Sequence, residues 1–69
     1  MLTKDEITKG ALISCCGTSD LLEFGRLAVV TSDEVYMQEG SNIYFHFKWI
    51  NEIYPIRVGS SLVFKPMVP

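Results

Sequence analysis

The chain predicts a small, mainly β domain of five short strands, and three observations carry that reading. Residues Ile43–Trp49 alternate without a break: Ile43, Phe45, Phe47 and Trp49 fall on one side, and Tyr44, His46 and Lys48 on the other. A period of two is the mark of a half-buried strand, and β-branched and aromatic residues suit a pleated surface. Clusters of Gly, Ser, Asn, Asp and Pro cut the rest of the sequence into runs too short for packed helices. Finally, 69 residues leave room for one domain only, residues 1–69.

Thr3-Lys4-Asp5-Glu6 has the spacing of a capping box, which predicts a short helical turn that Gly10 stops. Ala11–Cys16, bounded by Gly10 and Gly17, is the first strand. Gly17–Asp20 is loop chemistry, and the apolar cluster Leu21, Leu22 and Phe24 is expected to fold back over one end of the barrel. Gly25–Thr31 is the second strand, with room to extend past Val35. Leu27 and Val29 oppose Ala28 and Val30, so both of its faces are apolar; Leu27 and Val29 are assigned to the core with Ile43, Phe45, Phe47 and Trp49.

Two turn-rich stretches follow, Thr31–Glu34 and Gln38–Asn42, with Val35–Met37 between them. Together they predict a long acidic hairpin tip over Asp33–Asn42 that carries Asp33, Glu34 and Glu39. The third strand is Ile43–Ile50 and Asn51-Glu52 is a tight turn. Ile53–Val58 is the fourth strand, which Pro55 confines to an edge or a bulge, since proline brings no N–H to a ladder. Gly59-Ser60-Ser61 forms a single 3₁₀ turn, and Leu62–Lys65 is the last strand, ended by Pro66.

This layout resembles that of SH3-like barrels. Lys9-Gly10-Ala11-Leu12-Ile13, Gly25-Arg26-Leu27-Ala28-Val29-Val30 and Ile43–Trp49 are similar to the arrangement found in short tailed-phage proteins, notably of cyanophages. The resemblance spans residues 9–65 and rests on turn glycines and apolar strand positions. It implies a small five-stranded SH3-like barrel and a phage-encoded accessory protein. Asp33–Asn42 departs from the simplest version and reads as an insertion.

Composition narrows the function classes. Six basic and eight acidic residues give a net charge of −2 with no basic run, which disfavours nucleic acid as a partner. No stretch approaches the length of a membrane span, and MLTKDEITKG is too polar and acidic for a signal peptide, so a cytoplasmic protein is expected. Hydrophobic residues make up 48% of the chain, more than so small a core can hold, which favours contact with a protein partner or a second copy.

Chemistry-bearing motifs are sparse. Cys15 and Cys16 are neighbours that would point to opposite faces of a strand, so two reduced thiols are expected rather than a disulfide. His46 is the single histidine, on the outward side of its strand. A nucleophile dyad would need Cys15 or Cys16 beside it. No metal-ligand spacing, phosphate loop or nucleophile elbow is present, and no cofactor, small-molecule substrate or enzymatic activity is expected.

The candidate contact surface is Tyr44, His46 and Lys48, with Arg26, Tyr36 and Arg57 expected nearby. Aromatic rings interleaved with cations on a sheet suit a protein hot spot and also single-stranded nucleic acid. The leading expectation is a non-enzymatic protein-interaction module that binds a host or viral protein. A single-stranded nucleic-acid-binding barrel and a virion decoration or joining subunit are the alternatives.

Overall fold

A computed structural model describes residues 1–17, 23–53 and 55–67. Five antiparallel strands form one sheet: β1 (Leu12–Cys15), β2 (Leu27–Glu39), β3 (Asn42–Trp49), β4 (Arg57–Ser60) and β5 (Phe64–Pro66). Their order is β4-β3-β2-β1-β5, so β1 to β4 neighbour each other in chain order, while β5 lies at the far end of the sheet from β4 and pairs with β1. The sheet wraps its inner face around one core, which gives the small mainly β, barrel-like domain that the sequence predicts.

β3 is the most regular element. Its burial alternates along the whole strand, with Ile43, Phe45, Phe47 and Trp49 buried. The aromatic rings interlock with Phe64 of β5: Phe47 lies 4.9 Å from both Trp49 and Phe64, centroid to centroid, and Phe45 lies 5.6 Å from Phe64. Edge-to-face and tilted contacts at this spacing suit the ring quadrupole. Leu2 and Ile7 add to the core from either side of a 3₁₀ turn at Lys4–Glu6. The capping reach predicted there is made, Glu6 Oε1 accepting the Thr3 N–H at 2.8 Å. Ser61 ties the ends together: its Oγ accepts the Ile43 N–H and its carbonyl accepts the Leu2 N–H, both at 2.9 Å.

β2 departs from expectation in two ways. Ala28 and Val30 are the buried residues, while Leu27 and Val29 are only half-buried. With apolar residues on both faces, pattern alone could not choose between the registers; pairing does, since Ala28 sits opposite Trp49 and Val30 opposite Phe47 on the inner face. Second, the turn-rich Thr31–Glu34 does not interrupt the strand, which extends past Val35 as the sequence allows. β2 runs through it as one 13-residue strand, and the register with β3 slips between Val30 and Val35 and again between Val35 and Met37. The turn chemistry is spent inside a bulge, where Ser32 Oγ accepts the Glu34 N–H at 3.0 Å. The reversal comes at Gly40-Ser41, with Gly40 at φ 61°, a backbone setting that glycine adopts freely.

The C-terminal third is shifted. β4 is Arg57–Ser60 rather than Ile53–Val58, so Pro55 precedes the strand instead of interrupting it. The 3₁₀ turn moves to Ser61–Val63, and β5 starts at Phe64 and includes Pro66. Phe24 is 68% exposed and does not close over the core, while its expected companions Leu21 and Leu22 lie outside the described residues, as does the end of the tail, Val68 and Pro69.

Gly59 is needed for packing. A Cβ placed there would stand 2.8 Å from the Phe47 ring and 3.1 Å from that of Phe64. Neither ring can retreat, because each is wedged against the other and against Trp49. Gly59→Ala is therefore expected to cost about 1–3 kcal/mol through overpacking. Phe45→Ala, which empties the centre of the core, should cost roughly 3–5 kcal/mol. Urea unfolding of the two variants against the unaltered protein measures both.

Candidate functional site

The outer face of the sheet is organised in rows by the strand pairing. Met37, Tyr44 and Ser60 form one row, His46 and Val58 a second, and Leu12, Val29 and Lys48 a third. Tyr36 joins the second row. It is the extra residue of the bulge between Val35 and Met37, and such a residue is re-aimed by the local twist. Its ring meets His46 edge-on at 5.2 Å. Tyr36, Met37 and Val58 are 59%, 44% and 48% exposed, so this face shows water a run of apolar and aromatic side chains. Tyr44 is half-buried and fixed: its hydroxyl accepts from Asn42 Nδ2 at 3.1 Å, and Asn42 Oδ1 accepts from the Ser60 hydroxyl at 2.7 Å. That chain locks β3 to β4.

Of the six predicted contact residues, the structure brings Tyr36, Tyr44, His46 and Lys48 onto this face. Arg26 and Arg57 are elsewhere. The Arg26 guanidinium lies over the Trp49 ring, 4.4 Å from its centroid, and donates to Asn51 Oδ1 at 3.3 Å. It also pairs with Glu52 at 3.7 Å, and Arg57 Nε reaches the same carboxylate at 3.6 Å. Arg57 sits opposite Phe47, on the inner side of the sheet. Both arginines are thus drawn to Glu52 in the β3–β4 connection, and Lys48 is left as the cation beside Tyr44 and His46 on the outer side of β3. Glu52 Oε1 is buried and takes no hydrogen bond, so its compensation is ionic.

The acidic residues also separate. Asp33 and Glu34 lie in the β2 bulge, and Glu39 flanks the Gly40-Ser41 turn; they do not share one hairpin tip. Asp33 has a structural task, accepting the Lys9 N–H through Oδ1 at 2.6 Å and so holding the lead-in to β1 against β2. The cysteine–histidine dyad is not built. Cys15 is fully buried opposite Phe64 on the inner face, and β2 separates β1 from β3. Both thiols are free. Among the described residues no three His, Cys, Asp or Glu side chains converge, and no helix is long and apolar enough to cross a membrane.

A groove of about 640 Å³ runs beneath the β4 edge, lined by Phe47, Trp49, Ile56, Arg57, Val63 and Phe64 among others. Its aromatic floor is the core itself, Phe64 being wholly buried. Met37 and Val58 were missed in the sequence. Val58 lies in the strand the sequence predicts, but its outward face follows only from its pairing with His46. No known protein family, curated protein or solved structure matches the chain.

The Asp33 contact is checked by Asp33→Ala. Loss of this hydrogen bond is expected to cost about 1 kcal/mol. Exchange of the Lys9 amide with solvent should quicken at the same time, as hydrogen–deuterium exchange would show.

Proposed function

We propose that this protein is a non-enzymatic protein-interaction module whose contact surface is the outer face of β2, β3 and β4. The observation that supports this most is the exposed run Tyr36–Met37, brought beside His46 and Val58 by the β2 bulge and not needed by the core. Tyrosine anchors with apolar neighbours dominate the energetics of protein interfaces, and exposed apolar patches mark contact sites. The resemblance to small phage barrels makes a phage-encoded accessory protein acting on a host or viral protein, in the host cytoplasm, our reading of its setting.

Single-stranded nucleic acid ranks lower on a specific ground. Such surfaces need cations tracking a backbone beside the stacking rings. Arg26 and Arg57, which would have supplied them, are spent on Glu52. A fluorescent oligonucleotide is expected to show no binding at physiological salt, and anisotropy titration reads this directly.

The partner-binding reading is tested by affinity capture with the wild-type protein and Tyr36→Ala, followed by calorimetry on the captured protein. Tyr36 is exposed and outside the core, so the variant should melt with the wild type. Its Kd for the partner should rise by roughly tenfold or more, the signature of a hot-spot residue. Equal binding by the two would reject this face as the contact surface.

A further inference from the structure

The two ends of the sheet are unlike. β5 is three residues long and carries Lys65 and Pro66, the devices by which edge strands resist pairing. β4 has neither lysine nor proline, and its register with β3 runs unbroken from Tyr44 opposite Ser60 to Phe47 opposite Arg57. Its one charge, on Arg57, is matched by Glu52 at 3.6 Å. This edge therefore repels no copy of itself.

The direction of its backbone groups follows from two hydrogen bonds of β3. The Ile43 N–H donates to Ser61 Oγ on the β4 side, and the Ile50 N–H donates to the Leu27 carbonyl on the β2 side. Backbone groups alternate sides along an antiparallel strand. Phe45 and Phe47 therefore bond toward β4, to their opposite residues Gly59 and Arg57. Val58, between these two, turns its N–H and C=O away from the sheet.

We propose that β4 pairs antiparallel with β4 of a second copy, Val58 opposite Val58, to join the two sheets into one. A two-fold axis normal to the sheet keeps outer residues opposite outer residues, so only a register of this parity is available. Centred on Val58, that register makes the axial residues a hydrogen-bonded pair, each N–H donating to the other's C=O. Ile56 falls opposite Ser60 of the second copy, and Arg57 opposite Gly59, which presents no side chain to meet it. Val58, 48% exposed in the single chain, gains its own counterpart as an apolar neighbour. A strand of four residues buries less than a stable interface does, so the dimer is weak and forms at micromolar to millimolar concentration. This proposal does not rest on the partner-binding reading, and Tyr36→Ala leaves the dimer intact.

Sedimentation equilibrium of the full chain over rising concentration tests it, with Val58→Pro as the variant. Proline removes the outward N–H and no bond to β3, so the variant should keep the wild-type circular dichroism. Its dimer Kd should rise at least about tenfold. Val58→Lys leaves every backbone bond in place and sets two ammonium groups opposite each other, and it should lose the dimer equally, which covers a folding failure of the proline variant. The Val58 amide should exchange more slowly as wild-type concentration increases. A wild type that stays monomeric at millimolar concentration overturns the proposal, including one that accepts a strand from a different protein. So does a dimer that both variants leave unchanged.

Discussion

The Phe47 ring is the contact on which the rest of the domain depends. It lies 4.9 Å from Phe64 and from Trp49 and 6.0 Å from Phe45, and it fills the space where a side chain on Gly59 would stand. Four strands are therefore referenced to one side chain: β3 that carries it, β4 through Gly59, β5 through Phe64, and β2 through Val30 directly opposite. In a domain of this size, which buries only about 60% of its unfolded surface, no second cluster could take over this role. The bare backbone at Gly59 lets β4 approach a packed ring and also leaves the edge of the sheet slim and unguarded.

Much of the fold was legible because β3 carries a pattern with a single solution. Its large residues occupy alternate positions and its polar ones the others, so strand, face and core follow together. β2 offered no such contrast. Leu27 to Val30 is apolar throughout, and the choice of Ala28 and Val30 for the interior is made by pairing partners that local pattern does not contain. Thr31–Glu34 carries sound turn chemistry, and Ser32 makes the expected local hydrogen bond. Whether such a segment ends a strand or bulges within one depends on whether the strand beside it continues. Pro55 is a simpler case: Ile53–Val58 reads as one strand around it, whereas the strand begins at Arg57, two residues after the proline.

The candidate site was legible on the strand and illegible across the loops. Tyr44, His46 and Lys48 share a face by alternation alone. Tyr36 reaches them only because a bulge adds one residue to β2. Arg26 and Arg57 required knowing where the β3–β4 connection sets Glu52, which is a property of the whole chain path. Moving both arginines to that carboxylate changes the chemistry of the outer face around Tyr36 and Tyr44: it becomes apolar and aromatic with Lys48 beside it, rather than a basic surface with stacking rings.

A sheet has two faces, and a chain of 69 residues has one core, so half of every strand must face water. Stability constrains the residues that stand there only weakly, since an outward Tyr36, Met37 or Val58 gains only part of the energy of full burial when 59%, 44% and 48% of it remains exposed. Polar residues in their place would keep the same inner packing and lower the risk of aggregation. The apolar outer residues thus stand outside the requirements of the fold. On the proposed reading, burial against another surface accounts for them, and the two surfaces proposed, the face beside His46 and the edge of β4, meet at Val58.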